Sequence, residues 1–312
     1  MRLAYRILSM PVHRPTADDG DHVVDQAIAD TRLAIAKYPI LRFDNVARYV
    51  TESRMECDDL SSLPNLAPPF PAFFVEFENS PRIWSDGKWQ PVPAGATGYF
   101  VQGIEARDLL PGGAKHVYVK DSQWWEKVSA DIGGTKWILF VGHWLTFYAP
   151  PICGAPLFVN CTDSLLISPE GRFIEAYRSG TGADAVSDSG GTPMMIFAMG
   201  LSFMHCKNVV VQSAEEPHTG GAKWHRRFKK PILRFHTLDI DPMKRVLRHE
   251  GQSEATGLKR ALHICRGHFS HYSPEAPMFG KLVGTFWVPD HVRGTIDEGE
   301  VRKNYNVAVH AP

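Results

Sequence analysis

The chain has 312 residues, 44% hydrophobic and 22% charged with no formal net charge, which suits a soluble globular protein long enough to bury a core. No amino-terminal run combines a basic region, an apolar stretch and a small-residue cleavage site. Five cysteines without a CxxC pair argue against a disulfide scaffold or a zinc knuckle, so the expectation is a cytoplasmic chain with no membrane span.

In chain order, residues 21–37 place Val23, Val24, Ala27, Ile28, Leu33, Ile35 and Ala36 at near-helical spacing and end on Lys37, which predicts an amphipathic helix. A shorter helix is predicted over Phe43–Ser53. The proline-punctuated stretch Leu63–Glu78 ends in a β-prone aromatic run whose alternation reads as a strand. Glu76 and Glu78 on that strand fit either a carboxylate pair or simple edge alternation. The middle third reads as a meander with strands "TGYFVQG", "KHVYVK", "KWILFVG", "PLFVNC", "LLISP" and "RFIEAYR" and a short helix over Asp121–Gly133. A Gly/Ser/Asp-rich loop, Arg178–Pro193, leads into the apolar run Thr192–Cys206. That run is shorter than the roughly 20 apolar residues a spanning helix needs, so it predicts a buried central helix, with Cys206 a packed thiol. A strand at Asn208–Gln212, a basic loop at Ala222–Pro231 and a strand at Ile232–Ile240 follow. The class is α+β: N-terminal helices, a mixed short-strand sheet, a buried central helix and a C-terminal antiparallel sheet. Residues 1–190 form one predicted region and the basic, histidine-rich residues 191–312 the other.

Charge is unevenly spread. From Lys207 onward there are 17 Lys+Arg against 11 Asp+Glu, and ten of the 14 histidines lie at or beyond His205. A polyanion is therefore expected to meet the C-terminal region. Within it, Lys223, Arg226, Arg227, Lys229 and Lys230 surround Trp224 and Phe228. Cations neutralise phosphates and aromatic rings stack on unpaired bases, so this cluster is the candidate nucleic-acid-binding site.

The second constellation lies between Arg260 and Thr295. If the segments "HICRGHFSHY" and "TFWVPDHVRG" pair as neighbouring strands, His263 or His268, Arg266, His291 and Arg293 can converge. Such a set suits metal-independent RNA cleavage. One imidazole takes the ribose 2′-OH proton, a second group protonates the departing 5′ oxygen, and guanidinium groups stabilise the phosphorane-like transition state. His263, His268 and His271 with Asp290 or His291 also form a possible metal set. However, there is no HExxH, and Arg266 and Arg293 would repel a divalent cation. No Walker loop, strand-linked GxGxxG or GxSxG is present, so neither metal nor cofactor is expected.

The order His263, Arg266-Gly267-His268, a glycine-containing loop, an aromatic strand and Pro289-x-His291-x-Arg293-Gly294 resembles a motif of uncharacterised bacteriophage and prophage proteins. It covers about the last fifth of the chain. More distantly, paired His and Arg on a small C-terminal sheet is similar to the barnase/EndoU/colicin/RelE-like ribonucleases. The resemblance implies a mobile-element protein and RNA cleavage. A non-catalytic nucleic-acid-binding regulator is the first alternative, and a structural or assembly protein the second.

Overall fold

The computed structural model describes residues 2–9, 22–52, 60–79, 82–85, 88–91, 95–109, 134–146, 156–180, 191–240, 261–265, 267–288, 291–293 and 295–300. The chain divides into two compact units, Met1–His205 with Val210–Asp239, and Cys206–Val209 with Ile240–Pro312. The central helix belongs to the first unit because it is buried in that unit's core, and the basic segment because Trp224 packs against that core.

The first unit is built on an eight-stranded mixed sheet of order β8-β7-β6-β5-β2-β1-β10-β9. Its strands are β1 (Ile40–Arg42), β2 (Ala72–Asn79), β5 (Gly95–Glu105), β6 (Trp137–Thr146), β7 (Pro156–Ile167), β8 (Phe173–Gly180), β9 (Val210–Glu216) and β10 (Leu233–Asp239), while β3 (Arg82–Ser85) and β4 (Lys88–Pro91) pair separately. β1 runs parallel to both β2 and β10, and the other pairings are antiparallel. The parallel step from β1 to β2 is carried by helix α3 (Asp44–Glu52), the crossover that a parallel pair requires.

Alternation along β2 builds two cores. Ala72 and Phe74 join Leu3, Tyr5, Ile7 and Leu8 of helix α1 (Leu3–Ser9) and Ala34 and Ile35 of helix α2 (His22–Lys37) on one face. On the opposite side of the strand, Phe73, Val75 and Phe77 are buried too, so β2 is covered on both faces. Helix α4 (Gly191–Met204) is apolar all round and buried from Met194 through Phe203, as a core helix must be. It presses closely on the residue just before α3: a Cβ on Gly200 would fall 2.1 Å from Phe43 Cε2.

The α+β class holds, with four corrections of detail. Helix α1 was not expected, since a seven-residue segment with five buried positions has no polar face to register as amphipathic. "PLFVNC" and "LLISP" form one strand, β7, because Asp163 turns inward to a partner and does not mark a turn. The basic segment is a helix, α5 (Gly221–Phe228), and not a loop. Glu76 lies near the middle of the sheet under α1 and not on an edge. The predicted strand at 115–120 and the helix at 121–133 lie outside the described residues.

In the second unit, β11 (Ala261–Cys265) pairs antiparallel with β14 (His291–Arg293) and parallel with β15 (Thr295–Glu300), while β12 (His268–Tyr272) pairs antiparallel with β13 (Gly284–Val288). Trp287 is buried with its ring 4.9 Å from that of Phe269. Asn208 clamps the Trp287 backbone, donating to its carbonyl at 2.7 Å and accepting from its N–H at 2.9 Å. Burial pushes the neighbouring Cys206 thiol up to about 12, which keeps it protonated and unreactive at neutral pH.

Candidate functional site

The C-terminal ladder brings the two predicted segments together as neighbouring strands. His263 stands opposite Arg293, and Cys265 opposite His291. The β12–β13 pairing keeps the same register, with His268 opposite Val288 and Tyr272 opposite Gly284. Residues two apart on a strand and directly opposite residues share a face, so the positions of His263, Cys265, His291 and Arg293 fall together by register. His268 sits on the other pairing, exposed. Arg266 lies outside the described residues. His271, also exposed, is bridged across the strands, its Nδ1 3.2 Å from Thr285 Oγ1.

The basic cluster is organised by α5. Trp224 and Phe228 lie one turn apart with ring centroids separated by 5.2 Å, a spacing that supports a helix. His225 accepts the His218 N–H at Nε2 (3.0 Å), so its proton sits on Nδ1 and is donated to the Lys230 carbonyl at 3.0 Å. Lys229, at φ 50°, takes the left-handed position that ends the helix. The indole of Trp224 stacks on His218 at 4.0 Å and meets Tyr5 edge-on. Trp224 and His225 are thus anchors. At 3.6 residues per turn, Lys223, Arg226 and Arg227 occupy one arc of about 100° on the outer face. They and Lys229 are exposed, and the ion pairs among the described residues involve none of them. Phe228 is 45% exposed beside them, with the Arg227 guanidinium 5.4 Å from its ring centre. Burial, aided by the nearby Arg32, holds Lys230 below the usual lysine range.

A third cluster was not foreseen, because its members are scattered through the sequence. Arg2 contacts Glu216 at 3.1 Å and Asp44 at 3.4 Å, and Arg42 joins the same two carboxylates. Beneath them the Glu76 carboxyl accepts the Ala4 N–H at 2.9 Å, with Arg2 Nε at 4.0 Å. Burial pushes this carboxyl up to about 7, against the opposing pull of the Ala4 N–H and of Arg2. The one available signal was a carboxylate inside the run "FFVEFE", where a strand buried on both faces leaves it no solvent. Above the cluster, a cleft of about 360 Å³ is lined by Arg2, Tyr5, Glu78, Glu216, His218 and Thr219.

Tyr5 ties this region together: its hydroxyl donates to the Glu216 carbonyl at 2.7 Å and accepts the buried Leu233 N–H at 2.8 Å. Tyr5→Phe leaves that amide unsatisfied, and we expect thermal melts to show a loss of about 1–3 kcal/mol. An unchanged melt would mean that another group takes over the amide.

Among the described residues no helix is long and apolar enough to cross a membrane. No family model, curated protein or solved structure matches the chain, so residue chemistry and geometry alone carry its functional reading.

Proposed function

We propose that the protein binds single-stranded RNA through the outer face of α5 and cleaves it, without a metal, at the β11–β14 ladder of the C-terminal unit. The observation that carries the reading is the exposed arc of Lys223, Arg226 and Arg227, with Lys229 at its end, without acidic partners among the described residues and bordered by an exposed phenylalanine. Cations in that arrangement neutralise phosphates, and Phe228 offers a face on which an unpaired base can stack. For the chemistry, the register of His263, His291 and Arg293 supports an imidazole pair as acid and base, with a guanidinium for the developing charge. The setting consistent with this is a phage or prophage protein acting inside the cell. A second reading, binding without cleavage, is favoured by the separate placement of His268 on the β12–β13 pairing.

The test is a salt titration of binding to single-stranded RNA. The variant Arg226→Ala/Arg227→Ala should bind more weakly at low salt. Its plot of log affinity against log salt should be shallower by about 1.4, from about 0.7 for each single-strand phosphate contact removed. Wild-type protein with no low-salt affinity, or a double variant with an unchanged slope, would remove α5 as the binding face.

A further inference from the structure

The cleft over Arg2 has no part in the RNA reading, and its walls carry both signs of charge. The Arg2 guanidinium is held by two carboxylates, through Nε to Glu216 and Nη1 to Asp44, which leaves Nη2 without a partner among the described residues. His218 accepts the Gly220 N–H at Nδ1 (2.9 Å), so its neutral ring carries the proton on Nε2; burial, then the nearby His225, hold it below the usual histidine range. The ring is fixed in place by its stack on Trp224 and its edge contact with Tyr5. Thr219 adds an exposed hydroxyl. These groups are donors suited to a carboxylate.

Glu78 supplies the opposite charge. Its carboxylate has no hydrogen-bond or ion-pair partner among the described residues, and it lines the same cleft. Asp44 links the two sides through the backbone: one of its oxygens accepts the Glu78 N–H at 3.0 Å and the other binds Arg2 at 3.4 Å. The donor side and the Glu78 carboxylate therefore line one cleft. A phosphate dianion would meet Glu78 and Glu216 unfavourably. A divalent cation has no site here, since no group of three or more His, Cys, Asp or Glu among the described residues could hold one.

We propose that this cleft binds a small zwitterion, its carboxylate on Arg2, His218 and Thr219 and its ammonium on Glu78. The volume falls within the range of small-molecule sites, and fixed polar groups of both signs give the orientation such sites use.

Calorimetric titration of the full chain with 4-aminobutanoate, butanoate and butylamine separates the possibilities, because the three probes share a length and differ in charge. The zwitterion should bind at least tenfold more tightly than either singly charged probe. Glu78→Gln, at an exposed side chain, should remove the advantage over butanoate, and Thr219→Val should weaken both carboxylate probes while leaving butylamine unchanged. Circular dichroism melts would establish that both variants remain folded. No saturable binding of 4-aminobutanoate, equal binding of a singly charged probe, or an unaltered preference in folded Glu78→Gln would each overturn the proposal. The result is independent of RNA binding, since neither variant touches α5 or the C-terminal ladder.

Discussion

If their role is the proposed chemical one, His291→Ala and Arg293→Ala should each abolish RNA turnover while costing less than about 1 kcal/mol of stability. Trp287→Ala should instead cost about 3–5 kcal/mol, because Trp287 is buried against Phe269 and belongs to the strand that Asn208 clamps. The contrast follows from position. His291 and Arg293 stand on β14 opposite Cys265 and His263, one break beyond the β12–β13 pairing that carries the apolar contacts. Thermal melts and turnover of a single-stranded RNA, run on all three variants, decide the matter. If the histidine and arginine variants melt as low as Trp287→Ala, their role is structural. Folded variants with full turnover would be equally fatal to the assignment, and folded variants that bind RNA without cleaving it would support it.

The second large effect concerns pH. Glu76 in the folded chain titrates near 7, well above an unfolded glutamate, because burial disfavours its charged form. The folded state therefore binds this proton more tightly than the unfolded state. The resulting stability is fully present below about pH 4.5 and is lost as pH rises through 7. Glu76→Gln keeps an acceptor for the Ala4 N–H and removes the ionisation. The variant should match wild type near pH 4.5 and exceed it by about 3 kcal/mol at pH 8.5, from about 1.4 kcal/mol per pH unit separating the two states. Denaturant unfolding of both proteins at the two pH values provides the measurement. A constant difference between them would mean that Arg2 and Arg42 keep Glu76 ionised throughout.

Periodicity exposed the parts of the fold that bury one face or an entire apolar run. The helix around Ala34 and Ile35, the apolar helix from Met194 to Phe203 and the strands through Phe74, Val141 and Phe235 were legible because local spacing records which side meets the core. The pairing of the two C-terminal segments was legible for a related reason: a short connection with two prolines and a glycine favours antiparallel neighbours. The sequence also marked Lys223, Arg226 and Arg227 as a cationic cluster. Whether they formed a loop or one helical arc depended on Tyr5 and His218, which lie far and near in sequence and meet Trp224 only in the folded chain.

What tertiary structure alone decided is the company each polar group keeps. Glu76 looked like an edge residue until β1 and β5 closed on either side of β2 and α1 covered it; that burial raises its affinity for a proton. Arg2, Arg42, Asp44 and Glu216 form one cluster only because β1 runs parallel to β2 and β10, which brings the carboxyl end of β9 beside the start of α3. Local sequence thus determined which residues seek the core and which carry charge. Partner identity, and with it the electrostatics of the cleft, came from contacts between residues up to 228 positions apart, which no local pattern encodes.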